Sequence, residues 1–272
     1  MHTDGHKPVI SIIVPVHNES EKTIRCFTSI RTYTPIPHEI IWVDNGSSSA
    51  HVDPIKRQAT QPGMHTKLIK LNSNVGFVKA TNIGLKNIED SCSYVILLNN
   101  DTEVTEEWAE KLIAPLMQDP AVGAVGPITQ SEIAWQEATS LNRRWQLNLP
   151  CFSRNRLDRI GSTSIRNYGI SLAAKFRSKY VNVGDLSLSF FCAAMRKTTV
   201  DQVGLLDEDF GYGLGDDDEY CYRLRTNGFK QLLSLGTFVY HRHRTTFTAL
   251  RLPIDQIRRT NMQTLRRKTQ QK

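Results

Sequence analysis

The chain lacks any Cys-x-x-Cys pair. Its five cysteines, Cys26, Cys92, Cys151, Cys192 and Cys221, are scattered and odd in number. That argues against a zinc site or a disulfide framework, fits a reducing compartment, and leaves the thiols as small buried apolar residues. No apolar run approaches the ~18 residues of a spanning helix. Met1 to Pro8 has no apolar leader and reads as a short polar approach to the first strand. A cytoplasmic protein, at most peripheral to a membrane, is the expectation. Internal repeats and low-complexity segments are absent. The loop after the first apolar segment, Val16-His17-Asn18-Glu19, lacks the glycines and basic residues that cradle phosphate in nucleotidyl transfer. The alternating ligand spacing of a calcium-binding EF-hand is missing too. Finally, most of the chain lacks basic charge. The total is +7, but Arg242 to Lys272 holds nine Lys/Arg against one acid, Asp255, so residues 1–241 sum to about −1. A nucleic-acid-binding core is excluded, and no nucleic-acid partner is expected.

What is present is a series of apolar runs that end in polar residues. Tyr94-Val95-Ile96-Leu97-Leu98 runs into Asn99-Asn100-Asp101. An apolar run of that length suits a strand buried on both faces. Open α/β sheets bind ligands at the C-terminal ends of such strands, and a carboxylate there can hold a divalent cation. A simple Asn-Asn-Asp turn is the plain alternative. The pattern recurs, however. Val9 to Pro15 is a first strand, leaving through His17-Asn18-Glu19; Asn18 with Glu21 has capping-box spacing before a helix through Ile24, Phe27 and Ile30. Ile40 to Val43 is a second strand, ending in Asp44-Asn45-Gly46-Ser47. Leu68 to Leu71 is a third, and Asn74-Val75-Gly76 leads into a helix through Asn82 and Leu85. A further helix centres on Trp108, Leu112 and Leu116. Alternating strands and helices predict a parallel, helix-covered sheet with polar edges gathered on one rim.

Residues 127–186 are less periodic and rich in Arg, Asn, Ser and Trp, with Trp135, Arg154, Arg156 and Arg159 among them. They read as a lid or acceptor-facing insertion, or as an ordinary structured excursion. Strand pattern returns over Leu186 to Met195. A glycine-rich approach, Gly211-Tyr212-Gly213-Leu214-Gly215, then meets Asp216-Asp217-Asp218-Glu219 at a helix start. One or two acids would satisfy a helix dipole; four contiguous acids repel one another and point to function. Gln231 to Tyr240 is a last strand, followed by His241-Arg242-His243. Residues 251–272 form a basic amphipathic tail, Ile254, Ile257 and Leu265 interleaved with Arg258, Arg259, Arg266, Arg267 and Lys268. Such a helix suits an anionic membrane surface, or packing by its apolar side.

Taken in order, Ile12 to Glu19, Val43 to Ser48, Asn74 to Leu85, Leu97 to Val104, Gly204 to Phe210, Gly215 to Arg223 and Val239 to His241 resemble the family 2 glycosyltransferases. The resemblance runs from about Val9 to Phe247 and implies a GT-A (Rossmann-like) α/β fold over 1–250. It implies a mostly parallel central sheet flanked by helices, with a smaller acceptor-side region in 127–186. The implied activity is inverting transfer of a sugar from a UDP-, GDP- or dTDP-linked donor to a glycan or lipid-linked acceptor. A catalytically inactive nucleotide-sugar-binding module of the same fold is the alternative.

The resemblance also implies roles. Pro15, Val16, His17, Asn18, Glu19 and Asp44 would line the nucleotide pocket, bordered by Asn74, Gly76 and Asn82. Asn99, Asn100 and Asp101 occupy the family's Asp-x-Asp position. Asn99 departs from it, which leaves Asp101 as the expected ligand of Mn²⁺ or Mg²⁺. His241 would complete the metal shell, with His243 as a substitute. Asp217 falls on the second residue of the Glu-Asp motif and would be the general base, with Asp216 beside the donor. Crowding by Asp216, Asp218 and Glu219 would raise its proton affinity.

Overall fold

The computed structural model describes residues 9–130, 136–149, 161–242, 250 and 252–270. The element order is β1 (Ile10–Val16), α1 (Ser20–Tyr33), β2 (His38–Asp44), α2 (Ser49–Ala59), β3 (Thr66–Lys70), α3 (Phe77–Leu85), β4 (Tyr94–Leu98), β5 (Thr102–Val104), α4 (Trp108–Gln118), β6 (Val122–Ile128), α5 (Ala138–Trp145), α6 (Ser162–Phe176), β7 (Tyr180–Asn182), β8 (Cys192–Arg196), α7 (Lys197–Val203), a 3₁₀ turn (Glu208–Phe210), α8 (Asp216–Thr226), β9 (Lys230–His241) and α9 (Ile254–Thr269). One mixed sheet runs β3-β2-β1-β4-β8-β6-β9-β5, with β7 paired to β9. It is parallel across β3-β2-β1-β4, and β8 then enters antiparallel to both β4 and β6.

Successive strand residues point to opposite faces, and both faces are covered. In β1, Ile13 packs with Val78 and Ala80 of α3, while Ile12 and Val14 pack with Phe27 of α1, Ile55 of α2 and Trp108 of α4. Continuous apolar runs are therefore what β1, β2 and β4 need. Trp42 and Phe27 meet edge to face at 6.0 Å. No helix among the described residues is long and apolar enough to cross a membrane.

Several local expectations change. Asn18 does not form a capping box. It lies at φ 56°, the residue capping α1 is Glu19 without a side-chain bond, and the Asn18 carboxamide oxygen accepts from Ser48 N–H at 3.1 Å. The strand expected from Leu186 begins only at Cys192. Before it, Ser189 N–H donates to the Gln136 side chain at 2.6 Å and the Leu188 carbonyl accepts from the Cys221 thiol at 3.6 Å, so side chains take the place of a ladder. The strand β6 and helix α2 were not foreseen. The described part of 127–186 belongs mainly to the body: Tyr168, Leu172 and Phe176 of α6 are buried, and Tyr168 meets Phe238 of β9 edge to face at 4.5 Å. Cys26, Cys92, Cys192 and Cys221 are buried, and burial pushes the Cys26 thiol up to about 12. Cys151, Trp135, Arg154, Arg156, Arg159 and His243 lie outside the described residues.

The helix α9 packs back against α8 and the 3₁₀ turn, the second of the two readings of the basic tail.

Close helix–sheet packing gives a test of this fold. A Cβ at Gly84 of α3 would stand 2.4 Å from Ile13 Cγ2 and 3.2 Å from Val43 Cγ2. Alanine favours helix over glycine by ~1 kcal/mol, but overpacking a rigid core costs ~1–3 kcal/mol. Gly84→Ala is expected to lower stability by about 1–2 kcal/mol in urea unfolding; an increase would contradict the packing described.

Candidate active site

The register of the sheet assembles one polar rim. β1 pairs with β2 from Ile10↔His38 to Val16↔Asp44 and with β4 from Ile10↔Tyr94, so three C-terminal ends finish side by side. From the other side, antiparallel β8 starts at Cys192 opposite Leu98, which puts Phe190 and Phe191 on the same rim. β9 runs antiparallel to β5 with His241 opposite Thr102, and Arg242 N–H donates to the Asp101 carbonyl at 3.0 Å. His241 is thereby brought to Asp101.

A cavity of about 590 Å³ opens here. Of the residues expected at the site, Pro15, Val16, His17, Asn74, Asn99, Asn100, Asp101, Asp216, Asp217 and His241 line it. Asn18, Glu19, Asp44, Gly76 and Asn82 are not among its lining residues. Each of these five does something else nearby. Asn18 ties the loop after β1 to Ser48, and Glu19 pairs with Lys22 at 2.6 Å. Asp44 is buried; one oxygen accepts from Ser47 N–H at 2.9 Å and the other has no hydrogen-bond partner among the described residues. Gly76, at φ +89°, leaves room that a Cβ would fill 2.7 Å from the Gly211 carbonyl. Asn82 holds the segment before the 3₁₀ turn, donating to the Leu206 carbonyl at 2.8 Å and accepting from Leu206 N–H at 3.0 Å.

Sequence reasoning missed Asn45, Phe77, Phe190, Tyr212 and Arg258, all of which line the cavity. Asn45 had a signal, since it follows Asp44 at a strand end. Its amide donates to Asn74 Oδ1 at 3.0 Å and to the Gly76 carbonyl at 3.2 Å, and its oxygen accepts from Val75 N–H at 2.8 Å. The Asn45 carbonyl contacts His17 Nδ1 at 2.9 Å. Asn45 thus knots the ends of β1 and β2 to the loop before α3. Asn100 is also engaged, donating to Thr23 of α1 at 2.9 Å.

Asp101 Oδ1 and His241 Nε2 stand 3.1 Å apart, and the His241 ring stacks on Phe191 with centroids 4.9 Å apart and planes at 12°. Asn99 Nδ2 lies 3.2 Å from the same His241 Nε2, while Asn99 Oδ1 is buried with no hydrogen-bond partner among the described residues. One imidazole nitrogen cannot give a proton to Asp101 and accept one from Asn99 at once. An unprotonated Nε2, a carboxylate oxygen and an amide oxygen turned inward would together suit Mn²⁺ or Mg²⁺. No group of three or more His, Cys, Asp or Glu with metal-ligand placement occurs among the described residues.

The acid cluster opens α8 behind Gly215, which caps it at φ +114°. Glu219 is turned away into a bidentate pair with Arg223, Nε donating to Oε1 and Nη2 to Oε2, each at 2.8 Å. Burial pushes the Asp216 carboxyl up to about 6. Asp217 is held well above the ordinary carboxylate range by burial, then by the charges of Asp216 and Asp218. The crowding anticipated for Asp217 is present, with Glu219 taking no part. A carboxylate of raised basicity on a cavity wall is equipped to accept a proton.

The strand ends, the carboxylate–histidine pair and the acidic helix start share one cavity, in a fold that resembles solved GT-A glycosyltransferases. The profile described as "Glycosyl transferase family 2" matches residues 11–178, and the chain belongs to that family. Among curated relatives it is 31% identical over 118 residues to "Polypeptide N-acetylgalactosaminyltransferase 8" of Drosophila melanogaster, covering 41% of this chain and 19% of that protein. It is 24% identical over 248 residues to "O-antigen biosynthesis protein RfbC" of Myxococcus xanthus, covering 90% and 18%. The matched region thus spans about a fifth of these relatives' length. Among solved structures, a mannosyltransferase of Pyrobaculum calidifontis in complex with GDP-Man and Mn²⁺ superposes with TM-score 0.64 at 16% identity, covering 97% of this chain and 65% of that one. GalNAc-T7 with UDP, GalNAc and Mn²⁺ gives 0.62 at 18% identity, covering 86% and 43%.

Raised carboxyls carry a stability consequence with a definite sign. A carboxyl that binds protons more tightly when folded than at its ordinary value of 3.8 stabilises the fold below that value. The contribution is lost as pH climbs through about 6, the folded value of Asp216. Asp216→Asn is therefore expected to raise the melting temperature at neutral pH by about 2–6 °C, with the gain vanishing near pH ~4. A pH-independent effect in paired thermal melts would refute the assignment.

Proposed function

We propose that this chain transfers a sugar from a nucleoside-diphosphate sugar to a hydroxyl of a glycan or lipid-linked acceptor, with inversion at the anomeric carbon. The observation that carries the reading is Asp217, a carboxylate of raised proton affinity in the same cavity as Asp101 and His241. The acceptor hydroxyl gives its proton to the Asp217 carboxylate as its oxygen bonds to the anomeric carbon. The bond from that carbon to the diphosphate oxygen breaks, and its electron pair leaves with the nucleoside diphosphate. One base and a single displacement give inversion. Asp101 and His241, with Asn99 beside them, would hold Mn²⁺ or Mg²⁺, which when bound neutralises charge on the diphosphate. Mn²⁺ in the named structural neighbours supports that choice of ion. Asn45, Asn74 and His17 line the same cavity and would border the nucleoside of a UDP, GDP or dTDP donor.

The alternative of an inactive binding module draws on Asn99, which stands where a second acid would serve a metal. The basicity of Asp217 argues against it, because binding alone needs no base. An anionic membrane surface remains a proposed partner for α9, but through its charge alone. Asn261 of that helix is buried and Leu265 packs against the core, which leaves Arg259, Arg266 and Arg267 exposed.

Asp217→Asn is expected to cut transfer about 10²–10⁴-fold while nucleotide binding persists; near-normal turnover would sink the assigned base. In the wild type, kcat should rise with pH until the elevated Asp217 group has ionised. Asp101→Ala should abolish the dependence of nucleotide affinity on Mn²⁺, measured by calorimetry with UDP, GDP and dTDP; unchanged metal dependence would count against Asp101. Arg259, Arg266 and Arg267 changed together to Gln should lose any salt-sensitive sedimentation with anionic vesicles. Equal sedimentation of the triple variant would refute that contact.

A further inference from the structure

Helix α9 forms part of the cavity wall. Its Ile254 and Arg258, with Leu252 just before it, line the same space as Asp101, Asp217 and Asn74. Two anchors hold it there. Asn261, only 6% exposed, donates its amide to the carbonyls of Phe210 at 3.1 Å and Gly213 at 2.7 Å. Lys268 pairs with Asp207 and, at 2.6 Å, with Asp209. The anchors lie two helical turns apart and so share a face. Arg258 precedes Asn261 by three residues on the same side. The contacts that bury Asn261 therefore bring Arg258 to the cavity.

The charges around that cavity are unbalanced. Asp101, Asp185, Asp216, Asp217 and Asp218 line it, and Arg258 is the sole Lys or Arg among the described lining residues. Arg258 makes no ion pair or hydrogen bond with another described residue, so its guanidinium is uncommitted. A guanidinium offers paired donors that match a phosphate, and such charge-assisted contacts strengthen as the phosphate gains charge.

We propose that Arg258 is a further catalytic residue, its guanidinium binding the sugar-proximal phosphate of the donor and stabilising the charge that develops there as the diphosphate leaves. The assignment rests on the donor reading above. It gives α9 a chemical role, in which Asn261 and Lys268 fasten the helix and Arg258 supplies the positive charge that the strand edge lacks. The electron pair of the breaking bond comes to rest on the phosphate oxygen facing Arg258, while the acceptor's proton goes to Asp217.

The test compares nucleoside diphosphates with their monophosphates. Wild type, Arg258→Ala and Arg258→Lys are titrated with UDP, GDP and dTDP and with UMP, GMP and dTMP, all with Mn²⁺. For the base that binds wild type, Arg258→Ala is expected to weaken the diphosphate about ten- to hundredfold and to leave the monophosphate nearly unchanged. Arg258→Lys should fall between, keeping the charge but not the fork. Transfer by Arg258→Ala should lose kcat as well as donor affinity. Arg258 is exposed, so its variants should melt as wild type does. Equal losses for mono- and diphosphate, or unchanged diphosphate binding and kcat in Arg258→Ala, would overturn the proposal while leaving the donor reading intact. Failure of wild type to bind any of the six nucleotides would overturn the donor reading and this assignment together.

Discussion

The aromatic side of the cavity depends on one reversed strand in the sheet. β4 runs parallel to β1 on one side and antiparallel to β8 on the other. A wholly parallel sheet would deliver only C-terminal strand ends to this rim. The reversal adds the segment leading into β8, so Phe190 and Phe191 arrive beside Asn99, whose N–H donates to the Phe191 carbonyl at 2.8 Å. β6 and β9 then run in the direction of β4 again, and the far end of β9 pairs antiparallel with β5. The register shift between Pro127 and Ile128 bends the pairing of β6 with β9. Because β6 and β9 run with β4 again, His241 reaches the rim as a C-terminal strand end beside Asp101, and Phe191, arriving ahead of the reversed strand β8, stacks on it.

The second constraint is electrostatic. Carboxylates gathered in a partly buried space oppose one another's ionisation and lose solvation, so the cluster costs native stability at neutral pH. Local structure distributes that cost unevenly. Glu219 is neutralised by Arg223 and removed from the cavity, and Asp216 receives the backbone N–H groups at the start of α8. Asp217 is left well above the ordinary carboxylate range by burial and by the charges of Asp216 and Asp218, which is the property a general base requires. The strained approach serves the same end. Leu214 sits at φ 72° between two glycines of positive φ, a conformation that is held from outside by Asn261 and by Val78 N–H on the Gly211 carbonyl at 3.0 Å.

Much of this was legible in the sequence, for identifiable reasons. β1, β2 and β4 are buried on both faces, so their apolar runs are continuous and their polar ends stand out. Asp101, Asp217 and His241 each follow or open a strongly patterned element, and all three line the cavity. The losses fall where local pattern and tertiary bonding disagree. Leu186 to Phe191 has strand composition, yet Gln136 satisfies its backbone from a distant segment. Asn82 sits in a motif that points to the nucleotide pocket, but its amide is consumed by Leu206, 124 residues away. Asn18 has capping spacing and spends its side chain on Ser48 instead. A side-chain amide bonds across any loop within reach, and sequence distance carries no trace of which loop that is.

The helix α9 is the sharpest case, because its composition describes two outcomes equally well. A basic amphipathic helix that lies on lipid and one that packs on its own protein share the same periodicity. What separates them is the polar residue within the apolar face. Asn261 would be expensive in hydrocarbon, where no acceptor waits for its amide, whereas two carbonyls of the loop before α8 receive it here. Those carbonyls are exposed to it because the loop turns through positive φ at Gly211, Gly213, Leu214 and Gly215 and so cannot use them in regular structure. The irregular loop that presents Asp216 and Asp217 thus needs an external partner, and the helix that supplies one brings a guanidinium with it. The proposed base and the proposed counter-charge for the leaving group are in that sense one structural unit, joined through the side chain of Asn261.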